Sequence, residues 1–142
     1  MDATPLLELV PAPRVIWERA KLNPDAPRFM VRGEDGSFAP VAWRDYASGM
    51  RDIALWLAGV MDVGDRACIF APNQLAWLQA AMGIQAMGGA MVPIYGSSTA
   101  EQAAHVVAHS GAKVIFVDTE ALLTRVLMGY ARFESVSHIV TL

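Results

Sequence analysis

The sequence predicts an α/β fold: three layers, with a mostly parallel sheet flanked by helices and a small N-terminal β-hairpin. Three features carry that reading. Three short apolar runs, 67–70, 90–94 and 114–117, alternate with two helix-length segments. This is the pattern of parallel strands joined by crossover helices. The first two runs end in polar turns, Pro72-Asn73-Gln74 and Gly96-Ser97-Ser98-Thr99, and such sheets bind ligands just past the carboxyl ends of their strands. Finally, the 142 residues are 54% hydrophobic and only 18% charged, against about 25% charged in a typical soluble domain. A chain so poor in charge buries much of its surface or keeps an apolar face for a partner.

The elements follow in order. Residues 13–22 suit an amphipathic helix, with Val15, Ile16, Arg19 and Ala20 spaced for two faces. Asn23-Pro24-Asp25-Ala26-Pro27 breaks it. Phe29-Met30-Val31 and residues 38–43 flank Gly33-Glu34-Asp35-Gly36-Ser37, a hairpin with a loop of about five residues. Residues 44–61 place Tyr46, Ala47, Met50, Ile53, Ala54, Leu57 and Ala58 at helical spacing, with Arg44, Asp45, Arg51 and Asp52 on the wet side. Val63-Gly64-Asp65 turns the chain into the first parallel strand.

The next helix is expected over 74–87, with Asn73 as its N-cap and Gly88-Gly89 as its stop. Thr99 and Gln102 have capping-box spacing, and Gly111 ends the helix that they open. Residues 113–117 form the third strand, 119–129 a helix and 138–142 a fourth strand. No covering element follows that strand, although parallel sheets take cover on both faces. The expectation is a cut end.

Several function classes are disfavoured. The net charge of −3 is small and unclustered, so nucleic acid is not an expected partner. The single cysteine, Cys68, lies inside an apolar run and reads as a small buried hydrophobe. With no disulfide framework, a reducing, cytoplasmic setting is expected. Met1-Asp2-Ala3-Thr4-Pro5 lacks the positive region of a signal peptide. Between Arg66 and Glu101 there is no charged residue, and 75–92 approaches the length of a membrane span. Gly88-Gly89 and Pro93 divide that run into a helix and a strand.

Gly83 and Gly88 have phosphate-loop spacing, but Gly89-Ala90 stand where Lys-Ser or Lys-Thr belongs. They also close a helix instead of opening one, so packing and capping explain them. His105 and His109 are one helical turn apart, without an HExxH pattern or a third ligand, and read as two histidines on a polar helix face. No GxSxG elbow is present. Tyr95-Gly96-Ser97-Ser98-Thr99 follows a strand and opens a helix. Its amides and hydroxyls could face an anion, but the turn reads first as a tight connection capped by Thr99. Asn73 holds the same position after the preceding strand. Asp118-Thr119-Glu120, after the third strand, is acidic and argues against phosphate there. Trp17, Trp43, Trp56 and Trp77 read as core or interface fillers.

These residues also resemble a known family. Ala42-Trp43-Arg44-Asp45-Tyr46 comes first, then Val63-Gly64-Asp65-Arg66 leading into Cys68-Ile69-Phe70-Ala71-Pro72-Asn73. Trp77, Gly88-Gly89-Ala90-Met91-Val92-Pro93-Ile94-Tyr95 and Ser110-Gly111-Ala112-Lys113-Val114-Ile115-Phe116-Val117 follow. In this order they resemble the amino-terminal part of AMP-dependent synthetases. The likeness is greatest to long-chain acyl-CoA synthetases, in which a VP-x-Y-x-(S/T)-(S/T)-x-EQ-like run is familiar. It covers nearly the whole chain after about Pro13.

The resemblance implies a two-step reaction in the full-length enzyme. A carboxylate attacks ATP to give an acyl-adenylate and pyrophosphate, and coenzyme A then takes the acyl group, with Mg²⁺ assisting. The family's Ser/Thr/Gly-rich loop ending in Pro-Lys-Gly and its acidic ribose-binding residue are absent here. The lysines, Lys21 and Lys113, match no catalytic context. Position 42, often a capping Thr in the family, is Ala42, a loss of about 1 kcal/mol.

Residues 1–142 are therefore expected to be the α/β subdomain that opens an acyl-CoA synthetase-like enzyme, excised or truncated, and inactive alone. No catalytic residue and no metal ligand is assigned. Asn73, Tyr95, Gly96 and Ser97 are the residues expected to approach substrate. ATP, Mg²⁺ and CoA belong to the full-length enzyme, and none is expected to bind this chain tightly. The implied partners are a fatty acid or other carboxylate and the remainder of the synthetase. Self-association and peripheral membrane contact are left open. Two other classes stay in view: a flavodoxin-like small-molecule module using the strand ends, and an interaction fragment docking through an apolar face.

Overall fold

The structure, a computed structural model, describes residues 9–142. The amino-terminal residues 1–5 read above lie outside them. The chain divides into two compact units, one ending at Ser48 and one running from Gly49 to Leu142.

In the first unit, α1 (Ala12–Leu22) starts with Pro13 in its first turn and ends with Arg19 and Lys21 in its last. Both placements suit the helix dipole and the missing proline N–H. Strand β1 (Pro27–Arg32) pairs antiparallel with β2 (Phe38–Ala42). The Asp35 carboxylate accepts from the Ser37 N–H at 2.9 Å and the Ser37 hydroxyl at 2.7 Å. These bonds close the loop and hold the carboxyl below the usual carboxylate range.

Helix α2 (Trp43–Leu57) begins directly after β2. Ala42 offers no side-chain acceptor, yet the N–H groups of Trp43 and Arg44 donate to the carbonyls of Ala26 and Pro24, each at 3.1 Å. Backbone acceptors thus do part of the work of the missing cap, and the loss expected at position 42 is correspondingly smaller. Tyr46 is buried, its ring set edge-on to Phe29 at 5.0 Å.

The second unit holds a four-stranded, all-parallel sheet in the order β4-β3-β5-β6. Its strands are β3 (Arg66–Phe70), β4 (Ala90–Ile94), β5 (Val114–Val117) and β6 (His138–Thr141). Helices α3 (Leu75–Ala86), α4 (Ala100–Ser110) and α5 (Glu120–Met128) connect them, with a 3₁₀ turn at Tyr130–Arg132 after α5. Alternation along the strands sorts the core into two layers. Cys68, Phe70, Ile115 and Val117 pack with Ala103, Ala104 and Val107 of α4 and with Leu122 and Val126 of α5. Ala67, Ile69, Val114 and Phe116 pack with Leu57 of α2 and with Ala80, Ala81 and Ile84 of α3. The central strands β3 and β5 are thus covered on both faces, the three-layer architecture expected. Pro93 falls on the edge strand β4, where a missing N–H is tolerated.

Three expectations need correction. Helix 44–61 ends at Leu57, and the chain then turns through Gly59. The N-cap of α3 is Gln74, not Asn73, and it makes no side-chain capping bond. Gln74 is extended (φ −149°, ψ 179°) and its carbonyl accepts from the Leu78 N–H, which leaves Asn73 one residue outside the helix. None of the four tryptophans is fully buried: Trp17 and Trp56 are exposed, Trp43 and Trp77 half-buried. Their rings cover apolar edges instead. Trp77 packs on one core layer, and Trp56 stands edge-on to Phe116 at 6.4 Å and to His138 at 5.5 Å.

The glycines with phosphate-loop spacing have structural work. A Cβ on Gly83 would lie 2.7 Å from Cγ2 of Ile53 and 3.0 Å from the Met50 carbonyl, so α3 and the second half of α2 meet there. Gly88 has φ +88° at the end of α3, the left-handed stop that glycine permits. No helix among the described residues is long and apolar enough to cross a membrane.

Candidate functional site: the carboxyl edge of the parallel sheet

Register puts the strand ends level. Phe70 pairs with both Ile94 and Val117, and Val117 pairs with Thr141. The loops that begin at Ala71, Tyr95 and Asp118 therefore emerge along one edge. From β3 the chain passes to β4 on one side; it then returns past β3 to β5 and β6 on the other. The order reverses between β3 and β5, and open α/β sheets bind ligands at such a reversal. Asn73, exposed after β3, and Asp118, half-buried after β5, flank this point. Tyr95, Gly96 and Ser97 follow the edge strand β4, on the far side of β3 from β5. The structure thus groups the four predicted residues along one edge, with Asn73 after β3 and the other three after the adjacent edge strand β4.

The turn after β4 is held from two directions. The Ser98 N–H donates to the Tyr95 carbonyl at 2.8 Å. From α5, Nη1 of Arg125 donates to the carbonyls of Gly96 at 3.0 Å and Ser98 at 2.9 Å. Thr99 then caps α4 with a complete capping box: its hydroxyl accepts from the Gln102 N–H at 3.2 Å, and its own N–H donates to Oε1 of Gln102 at 2.9 Å. The amides of Ser98, Thr99 and Gln102 are thereby engaged. Outside this clamp, Tyr95 is 83% exposed, Ser97 is exposed, and a Cβ on Gly96 would meet nothing within 4 Å. The side chains that face outward are a phenol and a hydroxyl.

Arg125 is the residue that sequence reasoning missed. It sits in the last turn of its helix, where a basic residue is explained by the dipole alone, and its partners lie 27 and 29 residues back. Nothing local signals the pairing. Thr119 caps α5 by accepting from the Leu122 N–H at 3.3 Å, so the acidic Asp118-Thr119-Glu120 turn is a helix start.

Other candidates lie elsewhere. Cys68 is fully buried and its thiol is pushed up to about 11, chiefly by burial, so it stays protonated and inert. Arg66, at the opposite end of the sheet, donates through Nε to Ser110 O at 2.8 Å and through Nη2 to Gly111 O at 3.0 Å, closing the C-terminus of α4. His105 and His109 are exposed on α4. Among the described residues, no group of three or more His, Cys, Asp or Glu side chains is placed to hold a metal ion.

A parallel sheet between helical layers, following an N-terminal hairpin, is the architecture of the amino-terminal region of adenylate-forming enzymes. The chain belongs to the AMP-binding enzyme family, whose model matches residues 16–141. It is similar to the long-chain-fatty-acid–CoA ligase FadD15 of Mycobacterium bovis, with 32% identity over 127 residues, covering 82% of this chain and 21% of that protein. Among solved structures it superposes on a Mycobacterium tuberculosis fatty acyl CoA synthetase with a TM-score of 0.78 at 17% identity, covering 92% of this chain and 26% of that one. It superposes on the anthranilate CoA ligase AuaEII, in complex with anthranoyl-AMP, with a TM-score of 0.81 at 19% identity, covering 100% of this chain and 27% of that one. At these identities the two structures show the fold. The chain spans about a fifth of the length of the curated ligases it matches.

Proposed function

We propose that residues 1–142 are the opening α/β subdomain of a long-chain fatty acid–CoA ligase. The whole protein would join a carboxylate to AMP and then transfer the acyl group to coenzyme A. The observation that carries this reading is the match of the AMP-binding model across 16–141, joined to 32% identity with FadD15. The reading brings with it a cytoplasmic protein, a fatty acid or other carboxylate as substrate, and the remainder of the synthetase as partner. Asn73, Tyr95, Gly96 and Ser97 are proposed to approach substrate.

The same reading leaves the chain inactive alone. A nucleoside triphosphate needs cations or free amides around its phosphates. At this edge Arg125 is bound to two carbonyls, three amides of the turn are engaged, and Asp118 and Glu120 are acidic. The phosphates of ATP do not fit these residues by themselves, so no step is assigned to ATP here. The subdomain's part is to wall the acyl pocket and buttress the nucleotide-binding part.

Replacing the matching stretch of FadD15 with this chain tests the assignment. The chimera is expected to form long-chain acyl-CoA, whereas the purified 142-residue chain shows no ATP–pyrophosphate exchange. A folded chimera that cannot adenylate fatty acids refutes the assignment, and exchange by the isolated chain at rates like a full enzyme refutes its inactivity.

A further inference from the structure

We propose a second site, unrelated to acyl transfer: a two-histidine site for a transition-metal ion on the outer face of α4, formed by His105 and His109. The rings stack 12° from parallel with centroids 5.7 Å apart, and both side chains are exposed. Residues four apart on a helix stand over one another. Rotation about χ1 and χ2 can turn one nitrogen of each ring toward a common ion at the usual bond length of about 2.0–2.1 Å. Water fills the remaining positions.

What distinguishes this pair is the rigidity of its helix. α4 is closed at its start by the Thr99–Gln102 capping box and at its end by Gly111 (φ +61°) with Arg66 on the final carbonyls. The spacing of the two imidazoles is therefore set before the ion arrives, which lowers the ordering cost of chelation. Imidazole pairs favour Cu²⁺, Ni²⁺ and Zn²⁺, in the order of intrinsic affinity for those ions. Glu101, one turn before His105, and Arg132 of the 3₁₀ turn line a surface hollow with Gln102 and His105. Glu101 supplies a favourable negative charge and Arg132 an opposing one.

The test is titration of the 142-residue chain with Ni²⁺ and with Cu²⁺ at about pH 7.5, followed by calorimetry, with far-UV circular dichroism reporting the fold. One ion per chain is expected. His109→Gln should weaken it about tenfold or more, because the second ligand no longer adds its effective concentration. Adding Glu101→His to that variant rebuilds a pair one turn earlier, with His105, and should restore affinity. His138→Gln should leave it unchanged. Absence of saturable one-to-one binding overturns the proposal. So does binding that His109→Gln leaves intact, or a rebuilt pair that does not bind while the helix content is unchanged.

Discussion

Gly83→Ala sets two known effects against each other. In an exposed helix the substitution stabilises, because glycine costs about 1 kcal/mol relative to alanine in a helix interior. At this position the added Cβ would lie 2.7 Å from Cγ2 of Ile53, 2.9 Å from its Cβ and 3.0 Å from the Met50 carbonyl. None of these is the loose end of a flexible side chain, and Ile53 is β-branched and stiff at χ1. Gly83 itself is buried on α3 against the second half of α2. Relief requires moving the two helices apart, and overpacking of that kind costs about 1–3 kcal/mol. Subtracting the propensity gain leaves a net loss of up to about 2 kcal/mol. With a urea slope of about 2 kcal/mol/M, the unfolding midpoint falls by up to about 1 M. Trp56 and Trp77 lie in the same unit and report the transition by fluorescence. A midpoint equal to or above that of the parent chain would refute the argument, since the helices would then be yielding at little cost.

Three further outcomes are expected. Gly96→Ala meets open space and should change stability by less than about 0.5 kcal/mol; in the FadD15 chimera it should still lower kcat/KM about tenfold, or about 1.4 kcal/mol, if substrate passes close to this turn. Unchanged kinetics would remove Gly96 from the proposed site. Arg125→Met removes the donor to the Gly96 and Ser98 carbonyls, so amide exchange at Ser98 should rise with an overall loss of about 1–2 kcal/mol; unaltered exchange at that amide would show that the clamp does nothing. The Cys68 thiol has an ordinary value of 9.0, raised to about 11 in the fold. Its contribution is whole below about pH 9 and declines as pH rises toward 11, because the unfolded thiol ionises first. Cys68→Ala should flatten that alkaline fall relative to the parent chain, and two identical alkaline profiles would count against the assignment to Cys68.

Much of the fold was legible because short-range physics marks it. The 99–102 capping box, the stop at Gly111 and the apolar runs of β3, β4 and β5 are signals within a few residues of the structure they cause, and the structure places them as read. Asn73 was misplaced by one residue because Asn73 and Gln74 both follow the strand, and the position of the first helical turn depends on where α3 can lie on the sheet. The tryptophans were read from size and apolarity, which favour burial but do not say which ring edge a finite core has room for.

The two unforeseen features are both long-range. The backbone acceptors for Trp43 and Arg44 are Ala26 and Pro24, and the clamp on the 95–98 turn comes from Arg125. A hydrogen bond between residues far apart in sequence leaves no periodicity to read. The amino-acid sequence by itself determined the class of fold, the order of the main helices and strands among the described residues and the family, because hydrophobic period, capping residues and motif order are properties of neighbouring residues. Only the tertiary structure decided the strand order, and with it which loops border the reversal between β3 and β5. That order is set by how helices pack on two faces of one sheet, a matter of shape and volume that local sequence does not carry.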